Sequence, residues 1–187
     1  MIGRPISELS VGAHAEVSRV VTPRVIAEFV EAVGDENPLH SDEQFATTTP
    51  IGKPIAPGIW IAGLVSGVLG TQLPGPGSLY ISQELLFLKP VFLGDTITAR
   101  VEVVETLMEK NRVKLKTRAI NQRGEEVLVG EAWVKPPKTR IVYEERVGVS
   151  VPAVVQPRFW GASALKAWSA MGRSILAKWH PAADHDA

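Results

Sequence analysis

Apolar and polar positions change their spacing along the chain, and each change marks a different kind of element. Residues 14–21 alternate loosely, with Ala15, Val17 and Val20 set among polar neighbours, the pattern of a first strand. Thr22-Pro23 then supplies a capping hydroxyl and a proline at the first helical position. Val25, Ile26, Phe29, Val30 and Val33 follow at helical spacing, and Gly34 ends the run. Ser41-Asp42 opens a second short helix that reaches about Ala46, with loop from Thr47 to Ile51. From Pro54 to Leu73 the apolar residues Ile55, Ile59, Trp60, Ile61, Leu64, Val65, Val68 and Leu69 go almost all round the helix. Only small residues interrupt them. A helix apolar on every face predicts burial on every face. After Pro74-Gly75-Pro76-Gly77 the period becomes two, and residues 79–89, 96–107, 112–121 and 125–135 read as consecutive strands. Gly94-Asp95 and Arg123-Gly124 are the turns between them, and Pro136-Pro137 closes the series.

Five largely antiparallel strands around one buried central helix make an α+β hot-dog fold, expected over residues 1–137. At 187 residues the chain can bury a sizeable core in one such domain, with 138–187 left as an appendage. Lysine plus arginine equals aspartate plus glutamate at 20 each, so bulk charge gives no reason to expect nucleic acid. With no cysteine there is no disulfide, cysteine zinc site or thiol nucleophile. The histidines are His14, His40, His180 and His185, and only the last two are closely spaced. Nothing in the pattern calls for a metal or another cofactor. No signal pattern or membrane-length apolar run is present, so the expected location is the cytoplasm.

Candidate chemistry concentrates in Gly34-Asp35-Glu36-Asn37-Pro38-Leu39-His40. Gly34 suits a left-handed helix end, and the residue before Pro38 is pushed out of helical conformation. Asp35 and His40 can therefore reach one cavity from a bent loop, and an acid beside an imidazole suits general acid–base work. Alone, such a pair would more often be a capping acid and an exposed histidine.

The motif Gly-Asp-x-Asn-Pro-x-His, with Ser66-Gly67 and the run Leu88-Lys89-Pro90-Val91-Phe92-Leu93-Gly94-Asp95, resembles the MaoC-like (R)-specific enoyl-CoA hydratases over residues 10–135. The resemblance implies a hot dog that pairs edge to edge as a homodimer, and reversible hydration of a trans-2-enoyl-CoA thioester to its (R)-3-hydroxyacyl form. It implies that Asp35 and His40 hold the reacting water, and it places Ser66 near that water. A purely spacing role for Ser66 between helix and sheet is the equal alternative. Asp35 is then the expected base, His40 positions the water and shares in proton delivery, and Asn37 holds the loop. Gly58, at the electropositive start of the long helix, offers its N–H to the thioester oxygen. The family often has His where this chain has Pro57, a change that leaves a backbone donor at Gly58 untouched. Trp60, Leu64 and Val68 read as core, and Lys53 and Lys89 are candidates for the coenzyme's phosphates, if they are not simply solvated.

A 3-hydroxyacyl-[acyl carrier protein] dehydratase would use the same residues with another carrier. A hot-dog thioesterase would commonly carry a carboxylate on the central helix, and residues 55–73 contain none. A non-catalytic acyl-binding subunit would lack Asp35 or His40. Beyond Pro157, Trp160, Ala164, Trp168, Met171, Ile175 and Trp179 recur at three- and four-residue steps, which predicts an amphipathic helix. Packing on its own domain or dimer mate is the plainer expectation for residues 157–180. A membrane, a lipid or polyester granule, or a protein groove are the alternatives.

Overall fold

In the computed structural model the described residues are 1–144, and the helix expected over 157–180 lies outside them. Strand β1 (Ile2–Gly3) is followed by β2 (His14–Val20), helix α1 (Pro23–Val33), a short helix α2 (Glu43–Thr47) and the long helix α3 (Gly58–Thr71). Then come β3 (Leu79–Phe87), β4 (Thr96–Leu107), β5 (Arg112–Asn121), β6 (Glu126–Lys135) and β7 (Ile141–Val142). The main sheet is antiparallel with strand order β2-β4-β5-β6-β3, and α3 lies across its inner face: a hot dog.

Period-two alternation sets which residues meet that helix. Ala15, Val101, Thr117, Gly130 and Leu85 stand opposite one another across the five strands, so they share the inner face. Val101, Val103, Val113, Leu115, Ala119 and Val134 from this side are fully buried. From α3, Trp60, Ile61, Val65, Val68 and Leu69 fill the same core.

Among the described residues α3 is not covered on every face. Ile59 is 61% exposed, and Gly63, Ser66, Gly67 and Gly70 lie on the same open side. The reason is geometric: one sheet wraps one side of a helix, and the rest must wait for other cover.

The described residues beyond 137 pack back against the N-terminal segment. Ile141–Val142 pairs with Ile2–Gly3, the N-terminal ammonium donates to the Tyr143 carbonyl at 2.7 Å, and Arg140 bonds Glu8 at 2.5 Å. A two-residue strand has no period to read, so this clasp left no trace in the apolar pattern.

Candidate active site

Each site residue is placed by a local device. Thr22 Oγ1 accepts from the Val25 N–H at 3.2 Å and Pro23 opens α1, as its sequence predicts. The helix stops at Gly34, whose φ of 72° is left-handed and cheap only for glycine. Asp35 leaves the helix there, its own N–H still bound to the Val30 carbonyl. Asn37 Oδ1 then accepts from the Leu39 N–H at 3.1 Å and caps a single 3-10 turn, Pro38–His40. That turn swings the His40 ring back toward Asp35, and Nε2 lies 3.5 Å from Asp35 Oδ2.

A second contact fixes the ring. His40 Nδ1 is 2.8 Å from the Ile55 carbonyl oxygen, and the Ile55 N–H returns a bond to the Leu39 carbonyl. A carbonyl only accepts, so Nδ1 carries the proton, and Nε2 in the neutral ring is left as an acceptor. The carboxylate of Asp35 is also only an acceptor. The two groups therefore do not bond each other directly when the ring is neutral, but a water can donate one O–H to each. His40 is 9% exposed and the Asp35 side chain 40%, so one partner is anchored in the protein and the other is open to solvent.

The bond to Ile55 also ties this pair to Gly58. Ile55 bridges Phe92 on its other side, the Ala56 N–H bonds the Val91 carbonyl, and three residues after Ile55 the chain enters α3. Gly58 is the first residue of that helix, where N–H groups lack intrahelical acceptors and the dipole favours negative charge. The ring of Phe87 lies against it: a Cβ built on Gly58 would be 2.9 Å from Phe87 Cε1.

Two clefts flank this seam. One of about 580 Å³ is lined by Ile26, Val30, Glu36, His40 and Leu93, and one of about 360 Å³ by Ile51, Ile55, Gly58, Phe87 and Lys89. A larger surface groove, about 940 Å³, runs along Arg4, Glu8, His14 and Gln72, and its lining includes none of Asp35, His40 and Gly58. Size and chemistry disagree here, and the polar groups beside the smaller clefts make them the candidate site.

Asp35 and His40 thus face each other, Asn37 caps the turn between them, and Gly58 follows three residues after the carbonyl that holds the His40 ring. Ser66 is not joined to them: it is exposed on α3, about 12 Å along the axis from Gly58 at 1.5 Å per residue. The sequence reading missed the Ile55 carbonyl, which sets the histidine tautomer, and no side-chain pattern could have revealed a backbone acceptor.

The MaoC like domain model matches residues 9–125, more than half the chain. The chain belongs to the MaoC-like domain family. It is 45% identical over 131 residues to a 3-hydroxybutyryl-CoA dehydratase of Methylorubrum extorquens, covering 70% of this chain and 83% of that one. It is also 45% identical over 129 residues to the (R)-specific enoyl-CoA hydratase of Aeromonas caviae, covering 69% of this chain and 96% of the relative. Among solved structures, unliganded R-hydratase PhaJ1 from Pseudomonas aeruginosa superposes with a TM-score of 0.73. It shares 39% identity, over 78% of this chain and 94% of that one. MaoC-like membership and the Asp35–His40 geometry concern the same part of the molecule.

Proposed function

We infer that the protein is a hydro-lyase that reversibly hydrates trans-2-enoyl-CoA to (R)-3-hydroxyacyl-CoA. The carrying observation is the acceptor pair Asp35 and His40 Nε2, 3.5 Å apart, bonded through Ile55 to the helix start at Gly58. Water held between the pair loses a proton to Asp35 as its oxygen attacks carbon 3. His40 Nε2, an acceptor, keeps the water oriented, and the proton now on Asp35 is passed to carbon 2, so the addition balances. Charge that builds on the thioester oxygen is met by the Gly58 N–H, where the helix dipole already favours an anion. Phe87, on Gly58, forms the apolar wall beside the reacting carbons. Ser66 has no part in these steps unless substrate or a second chain draws it in.

Hydrolysis of the thioester is the weaker reading, because α3 carries no carboxylate between Gly58 and Thr71 to activate water at the carbonyl. Dehydration on acyl carrier protein uses the same residues and differs only in the carrier.

The working form is proposed to be a homodimer joined through β3. Among the described residues that strand of nine residues is an edge with one side unpaired, and Leu79 (63% exposed), Tyr80, Ile81 and Leu86 (59%) are open on it. Long apolar edges template pairing with another strand. Phe87 ends this same strand, so a partner seated on the edge would wall the cleft beside Gly58.

The test is to offer the pure protein trans-2-enoyl-CoAs of increasing length and follow loss of the conjugated alkene. Saturable loss supports the assignment, and an intact alkene at every length refutes it.

A further inference from the structure

Two lysines stand near the cleft that ends at Gly58, and their surroundings differ. Lys89 Nζ is 2.6 Å from Glu125 Oε1, in a cluster that Asn121 and Arg123 complete. Its charge is already answered. Lys53 is exposed and in no ion pair among the described residues. Its ammonium stands 4.1 Å from the centre of the Phe92 ring. Such a contact orients an ammonium while leaving donors free on the side away from the ring.

The ring is itself firmly held. Phe92 pairs with Ile55 in a bridge, and its N–H donates to Asp95 Oδ2 at 2.9 Å. Asp95 is buried; burial works to raise its carboxyl, but bonds from Gln122 and the Phe92 N–H and the charges of Arg123 and Lys53 hold it below its ordinary value, and no ion-pair contact joins it to Lys53. Its other oxygen accepts from Gln122 Nε2 at 2.7 Å, with Arg123 at 3.6 Å. Ile51 and Ile55, on either side of Lys53 in sequence, line the cleft. Lys53 and Gly58 are at most roughly 17 Å apart along the chain at full extension, a distance comparable with a pantetheine arm. A thioester whose carbonyl meets the Gly58 N–H, with its acyl chain inside, sends that arm outward past Ile55.

We propose that Lys53, held against Phe92, binds the phosphate at the end of the pantetheine arm of the thioester substrate. This rests on the hydratase reading and adds to it the group that recognises the carrier. Coenzyme A and acyl carrier protein both present a phosphate there, and coenzyme A adds nucleotide phosphates beyond it.

The experiment compares one trans-2-enoyl group on coenzyme A, on acyl carrier protein and on phosphate-free pantetheine. Each is assayed with wild-type protein, Lys53→Gln and Lys53→Arg. Lys53→Gln should raise KM for the coenzyme A thioester roughly tenfold with kcat nearly constant, the size of one charge-assisted contact at an exposed rim. It should leave the pantetheine thioester unchanged, and Lys53→Arg should retain most of the affinity. An effect shared with acyl carrier protein places the contact on the common phosphate. One confined to coenzyme A places it on the nucleotide phosphates and overturns the assignment to the common one. The same KM rise with pantetheine, or no rise with any carrier, overturns the proposal while hydration by the wild type still stands. Failure of the wild type on all three carriers removes the hydratase reading and this proposal with it.

Discussion

Replacing Gly58 by proline and by alanine separates the N–H of this residue from its lack of a side chain. Both replacements add a Cβ 2.9 Å from Phe87 Cε1, so both must push the same ring, the free end of a half-exposed side chain. Only Gly58→Pro deletes the donor. The helix tolerates that deletion, because proline is well suited to the first helical position. The preceding residue is already compatible: Pro57 has φ −55° and ψ 133°, the extended conformation that a following proline requires. Loss of one oxyanion donor is worth about 10²–10³ in kcat, or about 2.7–4 kcal/mol. Gly58→Ala should therefore change mainly KM, through the displaced ring, and Gly58→Pro should in addition lose about 10²–10³ in kcat relative to Gly58→Ala. The assay is steady-state hydration of a trans-2-enoyl-CoA, with circular dichroism to confirm that both variants are folded. Equal kcat for the two variants would show that the Gly58 N–H does not carry the developing charge.

Asp35→Asn keeps the shape and removes the base, so activity should fall roughly 10²–10⁴-fold. Asp35 is 40% exposed and makes no direct bond to the neutral His40 ring, so its loss costs about 0–1 kcal/mol of stability at most, against about 2–5 for a core truncation such as Leu69→Ala, and melting should barely move. Asn37→Ala removes the cap on the Leu39 N–H; a loss of about 0.5–2 kcal/mol in stability and a lower kcat should appear together, from thermal melts and the same assay. Ile81→Lys with Leu86→Lys puts charge on the open β3 edge and should weaken the dimer by roughly tenfold or more in Kd, read by light scattering across concentrations. Hydrogen bonds from Asn121, Lys89 and Arg123 hold the Glu125 carboxyl down to about 2 from its ordinary 4.5. A carboxyl lowered by folding stabilises above its unfolded value, so this contribution is complete above about pH 4.5 and fades as pH falls toward 2. Glu125→Gln should flatten the melting temperature across that acid window.

What the sequence disclosed, and what it hid, follow from how local each cause is. The strands 96–107 and 112–121 were legible to the residue because alternation sets them and the Met108–Asn111 turn separates them. The end of α1 was legible because Thr22, Pro23 and Gly34 act on their immediate neighbours. The side of α3 that meets the sheet was not, since a helix apolar all round has no preferred face until strands 79–135 are packed against it. Ile59 and Ser66 looked as buried as Val65 for that reason. Asp35, Asn37 and His40 were visible as a motif within a single bend. The carbonyl that sets the His40 tautomer lies 15 residues away and has no side-chain signature. Lys53 and Lys89 were indistinguishable on paper. They differ because Glu125, 36 residues beyond Lys89, returns beside it in the folded sheet. The clasp of Ile141–Val142 on Ile2–Gly3 joins segments about 140 residues apart, beyond the reach of any local pattern.

The most direct test of hydration at the Asp35–His40 pair is product analysis in heavy-oxygen water. A trans-2-enoyl-CoA is incubated with the protein, and mass spectrometry with chiral separation locates the label. The account predicts an intact thioester with heavy oxygen on carbon 3 of the (R)-3-hydroxyacyl group, and loss of that product with Asp35→Asn. Free coenzyme A thiol with heavy oxygen in a released carboxylate, and none on carbon 3, would contradict it.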